Sequence, residues 1–238
     1  MFRGQRVAVV VPAFDEARLV GQTLRTMPPY VDTVFVVDDA SRDDTAVVAA
    51  AVNDARIEVL RHPENRGVGG AIVTGYRAAI AAGVDLVAVM AADNQMHPDD
   101  LAVLLDALLD EGADYAKGNR FAHEAVRQMP RARRIAGSAL ALLTRLATGL
   151  SIDDSQCGFT IARTACLRRL DLDDLWPRYG YPNDLLALLA ASRARVVEAP
   201  VRPVYADERS GVRPWHALSI AARIGWRWYR LRAGSPFA

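Results

Sequence analysis

Acidic side chains gather where apolar runs end. Residues 7–11 (VAVVV) lead into Pro12-Ala13-Phe14-Asp15-Glu16, and residues 33–37 (TVFVV) lead into Asp38-Asp39-Ala40-Ser41-Arg42-Asp43-Asp44-Thr45. Carboxylates in such places can accept hydrogen bonds from a base N–H or a ribose hydroxyl. Taken singly, Asp38 or Asp43 serves equally well as a helix cap. A third group is Met90-Ala91-Ala92-Asp93-Asn94-Gln95-Met96-His97-Pro98. From an extended strand end Asp93 and Gln95 point the same way. Two oxygen donors suit Mg²⁺ or Mn²⁺, which keep few protein ligands and take phosphate oxygens besides. His97 reads as a turn residue, and Asp99 and Asp100 as first-turn helix charges. Asn65-Arg66-Gly67-Val68-Gly69-Gly70-Ala71 opens a helix, but Ile72 stands where a dinucleotide fingerprint needs its third glycine or alanine, so a tight turn is expected rather than NAD binding.

These residues need elements to hold them. The Val-rich runs at 7–11, 33–37, 57–60 and 85–90 read as buried strands of a mostly parallel sheet. Helical patterns lie between them. One runs from Leu19 to Met27 before Pro28-Pro29, one starts near Ser41 or Asp43 and reaches Asn53, one covers 69–82, and one starts at Pro98 and reaches Asp110. The alternation predicts a doubly wound α/β sheet with ligands at the carboxyl ends of its strands. Beyond Gly118 come a basic segment (Arg127 to Arg134), an apolar helix ending near Gly149, and a polar loop at 151–158. A helix from Pro182, a strand at 195–199, a Pro- and Arg-containing loop, and a terminal helix at 215–232 follow. The expected division is a domain over 1–213 and an amphipathic helix with tail over 214–238.

Composition narrows the function classes. Hydrophobic residues make up 51% and charged residues 24%, and the formal charge is +1, which argues against a generally basic, nucleic-acid-binding surface. Two cysteines, Cys157 and Cys166, form neither a disulfide framework nor a metal pattern and are expected as reduced thiols in a cytoplasmic protein. No apolar run is long enough to span a membrane; Arg145 interrupts one apolar helix, and Arg193 and Arg195 another.

The ordered set PAFDE, DDASRDDT, NRGVGGA, ADNQ, KGNR and DDSQCGF resembles glycosyltransferase family 2, and within it the dolichyl- and polyprenyl-phosphate sugar transferases, over roughly 1–213. The resemblance implies a GT-A fold, inverting transfer from a nucleotide diphosphate sugar, and a Mg²⁺ or Mn²⁺ cofactor. It implies that Pro12, Phe14, Glu16 and Asp39 line the nucleotide, with Asp38, Arg66 and Ala92 nearby. Arg209 and Arg213 would fold over the diphosphate, and Asp93 and Gln95 would hold the metal. Here the chain departs from the family: Ala91 replaces the first acid of Asp-x-Asp. Lys117-Gly118-Asn119-Arg120 matches a Gly-Ser-Arg segment, so Arg120 and Arg134 would bind an acceptor phosphate, for which a planar guanidinium is suited. Residues 156–159 resemble the glucosyltransferase branch and favour a UDP-sugar over GDP-mannose. Cys157 reads as a small buried residue.

Two acceptor classes remain open at this point. A polyprenyl phosphate is largely dianionic at neutral pH and needs no strong base. A soluble hydroxyl acceptor needs one, for which Asp184, near a helix start, is the candidate. A non-catalytic nucleotide-sugar binder is the alternative raised by Ala91. In the terminal helix, Trp215, Leu218, Ala222, Trp226 and Tyr229 form one apolar row. Ile220, Ile224, Trp228 and Leu231 form another, and Arg223, Arg227 and Arg230 lie between. This fits either a helix lying in a membrane interface, which would place the protein on the cytoplasmic membrane face, or one packed on the core or a second subunit.

Overall fold

The structure is a computed structural model that describes residues 1–204 and 214–232. Seven strands form one sheet: β1 (Val7–Ala13), β2 (Thr33–Asp38), β3 (Ile57–Arg61), β4 (Leu86–Val89), β5 (Tyr115–Asn119), β6 (Thr160–Arg163) and β7 (Val196–Pro200), in the order β3-β2-β1-β4-β6-β5-β7. All neighbours run parallel except β6, which is antiparallel to both β4 and β5. The four strands expected from Val-rich runs and the one expected at 195–199 are present. β5 and β6 were not foreseen as strands, because Lys117, Gly118 and Asn119 break the apolar signal in one and the other is only four residues long.

Among the described residues eight α-helices accompany the sheet: α1 (Val20–Arg25), α2 (Thr45–Ala50), α3 (Val68–Ala81), α4 (Asp100–Asp110), α5 (Arg131–Thr148), α6 (Thr164–Leu167), α7 (Tyr181–Ala191) and α8 (Pro214–Arg232). Strand residues alternate between two apolar layers. Val7, Val9 and Val11 pack on one side with Leu24, Leu101 and Leu104. Ala8 and Val10 pack on the other with Ile72, Tyr76 and Leu185. Burial on both faces is why β1 reads as an unbroken apolar run rather than an alternating one.

Because β6 is reversed, the loop entering it lies at the same sheet edge as the ends of β1, β2, β4 and β5; Val89 pairs with Thr160 and Lys117 also pairs with Thr160. Every motif quoted above therefore reaches one edge. Gly118 is needed there: a β-carbon would lie 2.7 Å from Val201 and 2.9 Å from the Cys157 sulfur.

α8 packs against α5 and α7. Its core-facing residues are Ile220, Ile224 and Arg227, all buried. Arg227 Nε and Nη2 donate to Asp184 at 2.7 Å each, and Arg223 Nε donates to Asp184 at 2.7 Å. Arg227 also pairs with Asp174. Trp226, Trp228 and Tyr229 are exposed, and the Arg223 guanidinium sits 4.1 Å from the Trp226 ring centre. Of the two readings left open for this helix, packing on the core accounts for Arg223 and Arg227, which turn inward to Asp184 and Asp174. Trp228, expected in the row of Ile220 and Ile224, faces outward while Arg227 takes the inner place. The side chains of Trp215, Leu218, Leu231 and Arg232 lie outside the described residues.

Burial opposes ionisation of Asp184, but Arg227 and Arg223 outweigh it and hold the carboxyl below the usual range. Removing one member of such a buried pair strands the other charge, at a cost of about 3–5 kcal/mol. Arg227→Met should lower the urea unfolding free energy by about that amount; an unchanged midpoint and slope would show that α8 is not anchored this way.

Candidate functional site

The donor-side edge is organised by short polar bridges between loops. After β1, Asp15 adopts φ 55°, its amide donates to Ser41 Oγ (3.0 Å), and its carboxylate accepts from the Arg42 amide (2.7 Å). The Glu16 and Ala17 amides donate to Thr45 Oγ1 (2.8 Å) and Asp43 (3.1 Å). Ser41 and Asp43 thus tie the β1 and β2 loops together, and Asp43 also accepts from the Thr45 amide (3.0 Å) at the start of α2. Partial burial works against the Asp43 charge, yet hydrogen bonds from Thr45 and from the Ala17 amide hold its pKa below the ordinary value. Pro12 is half-buried, Phe14 is 39% exposed, and Glu16 is half-buried on the same turn.

Asp38 and Asp39 divide the labour. The Asp39 carboxylate accepts from the Arg66 amide (2.8 Å), the Gly67 amide (2.7 Å) and His62 Nδ1 (2.7 Å), while His62 Nε2 reaches Thr74 Oγ1 at 2.9 Å. Asp39 therefore holds the Gly-rich segment in place. Gly67 sits at φ +85°, and a β-carbon there would lie 2.4 Å from the Pro177 carbonyl oxygen. That carbonyl accepts from the Gly69 (2.8 Å) and Gly70 (3.2 Å) amides, so the start of α3 is capped by the loop before α7. Asp38 accepts from the Ser41 amide through Oδ1 (3.1 Å). Its Oδ2 lies 3.2 Å from Arg61 Nε as an ion pair but makes no hydrogen bond, although the residue is fully buried. A buried carboxylate oxygen in that state calls for a donor. Beside it a cleft of about 530 Å³ is lined by Ala40, Ser41, Arg61, His62 and Pro63. Arg66 is exposed at the rim of this edge, and Ala92 is buried, its carbonyl accepting from Thr23 Oγ1.

Asp93 and Gln95 follow β4 with Asn94 between them at φ 58°, and the Gln95 amide donates to Asp93 Oδ1 at 3.1 Å. The turn brings one carboxylate and one amide oxygen to the edge, and Ala91 adds no donor. Among the described residues no three His, Cys, Asp or Glu side chains converge on a metal position. The donor set fits a small hard cation only when phosphate oxygens complete its shell.

Beyond β5, Arg120 donates through its amide, Nε (2.7 Å) and Nη2 (2.9 Å) to Asp154, a bidentate pair. Asp154 is buried; burial raises its pKa, but Arg120 prevails and the net shift is downward. Glu198 accepts from the Asp153 and Asp154 amides and from Asn119 Nδ2. Lys117 is fully buried, donates to the Cys157 carbonyl, and has its pKa lowered by burial. A second cleft of about 290 Å³ is lined by Asn119, Phe121, Arg134, Ser138, Arg145 and Asp153 among others. The structure thus brings Arg134 together with Arg145, which bonds Asp153 at 2.8 Å, whereas Arg120 is directed to Asp154 and does not line the cleft.

Asp184 is corrected as a general base. It is buried, and both carboxylate oxygens are taken by Arg223, Arg227 and the Trp176 amide (2.8 Å). Arg209 and Arg213 lie outside the described residues. The sequence reading missed His62, Lys117, Arg145, Asp154 and Glu198 as site residues. Asp154 lay inside a quoted motif and Arg145 had been read only as a break in an apolar helix; Glu198, a lone acid in VVEAP, carried no signal.

The family model "Glycosyl transferase family 2" matches residues 8–149. The chain belongs to that family. An undecaprenyl-phosphate mannosyltransferase of Micrococcus luteus is 32% identical over 96% of this chain and 98% of its own. A polyprenol monophosphomannose synthase of Mycolicibacterium smegmatis is 29% identical, covering 94% and 88%. A UDP-N-acetylglucosamine–dolichyl-phosphate N-acetylglucosaminyltransferase of Methanococcus voltae is 24% identical, covering 96% of each. Among solved structures, glucosyl-3-phosphoglycerate synthase from Mycobacterium tuberculosis, in complex with Mn²⁺, uridine diphosphate and glucosyl-3-phosphoglycerate, superposes with a TM-score of 0.72 at 23% identity, covering 95% of this chain and 81% of that one. The fold of this family 2 glycosyltransferase is therefore GT-A, as the sequence motifs implied.

A carboxyl whose folded pKa is depressed stabilises the native state fully above its unfolded pKa, near 3.9, and loses that contribution as pH falls through the folded value. Asp154→Asn should therefore lower stability at pH 7 by about 1–3 kcal/mol, since a charge-assisted pair is lost, and should flatten the acid limb of the stability curve. Denaturation midpoints from pH 7 down to pH 3 would test this; parallel curves for the two proteins would contradict it.

Proposed function

We propose that this glycosyltransferase moves a sugar, with inversion, from a nucleotide diphosphate sugar to a polyprenyl phosphate at a membrane face. The observation that carries the acceptor is the presence of two arginines at one cleft while Asp184 is engaged elsewhere. Arg134 and Arg145 line the acceptor-side cleft, while the one carboxylate suggested for base catalysis, Asp184, is locked into a buried ion-pair cluster. A site so built suits a nucleophile that is already an anion. The names of the relatives that act on dolichyl, undecaprenyl and polyprenol phosphates support the same reading.

In the reaction an acceptor phosphate oxygen forms a bond to the anomeric carbon as the bond from that carbon to the diphosphate oxygen breaks, and the nucleoside diphosphate leaves with the electron pair. Arg134 and Arg145 orient the acceptor phosphate. Phe14 and Glu16 line the nucleotide, Asp38 accepts from it through Oδ2, and Asp39 with His62 holds the Gly-rich segment beside it. Arg66, Arg209 and Arg213 counter the charge of the diphosphate. Asp93 and Gln95 would hold a Mg²⁺ or Mn²⁺ ion together with diphosphate oxygens. Such an ion, when bound, acts as a Lewis acid toward the leaving group. A uridine nucleotide is favoured over a guanosine one.

Purified chain, undecaprenyl phosphate in detergent, and labelled UDP-glucose, UDP-N-acetylglucosamine or GDP-mannose should give an acid-labile glycolipid with Mn²⁺ and none with EDTA. Arg134→Ala and Arg145→Ala should each raise the acceptor KM about tenfold or more, the loss of one charge-assisted contact, with the nucleotide KM little changed. Transfer to soluble hydroxyl acceptors and none to the lipid phosphate would overturn the acceptor assignment. Absence of any turnover together with tight UDP binding would turn the protein into the non-catalytic binder that Ala91 suggests.

A further inference from the structure

The loop that precedes α7 lies directly on the Gly-rich turn of the donor-side edge. A β-carbon at Gly67 would sit 2.4 Å from the Pro177 carbonyl oxygen, and one at Gly69 would sit 2.3 Å from the Trp176 carbonyl oxygen. Residues without a side chain let the two backbones approach this closely. The contact is also bonded, since the Pro177 carbonyl accepts from the Gly69 and Gly70 amides at 2.8 and 3.2 Å. On its other side the loop is held by Asp184, which accepts from the Trp176 amide at 2.8 Å. Trp176 Nε1 donates to the Tyr179 carbonyl (3.1 Å), and the Tyr181 amide donates to the Arg178 carbonyl (3.2 Å), so the loop is closed on itself.

This arrangement stations one cation on the turn. The Arg178 γ-carbon would lie 3.1 Å from a β-carbon at Gly67, so the aliphatic stem of Arg178 crosses the turn. Arg66 adjoins the same glycine along the chain, and both arginines are exposed. Asp39, the acid bound to this turn, already accepts from the Arg66 and Gly67 amides and from His62. Behind the loop, Arg223, Arg227 and Arg230 are matched to Asp174 and Asp184. Among the described residues Arg66 and Arg178 have no carboxylate partner. His62 joins the turn to the cleft beside Asp38, where the nucleoside is placed above. Two guanidiniums without counter-ions, one from each of two loops, suit a ligand with several anionic oxygens, which each can bind in a bidentate way.

We propose that Arg178 is a further donor-site residue, binding the diphosphate of the nucleotide sugar together with Arg66. The proposal rests on the nucleotide-sugar reading of the donor. Because the Arg178 backbone is fixed before the donor arrives, its charge meets the leaving group with little rearrangement. The close seating of Trp176 and Pro177 on three glycines then has a chemical purpose as well as a structural one.

The test uses the full chain with Arg178→Gln and Arg178→Lys, both at an exposed position. Competition against a labelled nucleotide sugar in the presence of Mn²⁺ would give the affinities of UDP, GDP and the matching monophosphates. Wild type should bind one of the diphosphates. Arg178→Gln should weaken that diphosphate about tenfold or more, equivalent to about 1.4 kcal/mol, and leave the monophosphate little changed. Arg178→Lys, which keeps the charge without the fork, should recover part of the loss. In turnover the donor KM should rise while the acceptor KM stays. Equal diphosphate affinity for Arg178→Gln and wild type overturns the proposal. So does an equal loss for mono- and diphosphate, which would show a disturbance of the whole turn instead of a lost phosphate contact. Wild type that binds neither UDP nor GDP sinks the donor reading itself.

Discussion

Buried carboxylates hold this enzyme together at its working edge. Asp39, Asp154 and Asp184 are each almost fully buried, and each is surrounded by N–H donors from a different part of the chain. A charge removed from water must be paired and hydrogen-bonded or it is costly. Each acid therefore dictates where its donors go. Asp39 pins the Gly-rich start of α3. Asp154 pins Arg120 and the turn before β6. Asp184 pins the Trp176 amide and, through Arg223 and Arg227, the terminal helix. Several loops that have no regular structure of their own acquire fixed positions in this way.

The three centres are not independent. Asp184 holds the Trp176 amide, and the next residue, Pro177, offers its carbonyl to Gly69 and Gly70 at the start of α3. Asp39 holds Arg66 and Gly67 from the other side. The donor-side segment is thus gripped between β2 and the loop that precedes α7, and that loop is gripped by α8. A helix far along the chain becomes part of the support for the nucleotide side of the site.

Sheet topology separates two groups of polar side chains along this edge. β1, β2 and β4 bring the acidic and Asp93-Gln95 turns to one part of the edge, and β5 with α5 brings the arginine cleft to another. The reversed strand β6 lies between β4 and β5 and sends Asp153, Asp154 and Gln156 into the same edge from below. Anionic diphosphate and anionic acceptor phosphate would otherwise repel each other, so separate cationic partners for each are a physical requirement of the proposed transfer.

The sequence alone determined the layered α/β architecture, because Val-rich runs buried on both faces leave little other choice. Its ordered motifs also determined the family, and they put Asp93 and Gln95 just past β4, since those residues are adjacent along the chain to the strand that carries them. The tertiary structure decided what depends on partners distant in sequence. It gave Asp39 to His62, Arg120 to Asp154, and Asp184 to Arg227. It placed Arg134 and Arg145 along one cleft, and it turned Arg223 and Arg227 of α8 inward while leaving the leucines of α5 outward. An amphipathic pattern reports that a helix has two faces, but which face meets water is set by what packs against it. A carboxylate's role is likewise set by the donors that reach it, and Glu198 takes one from Asn119, 79 residues away.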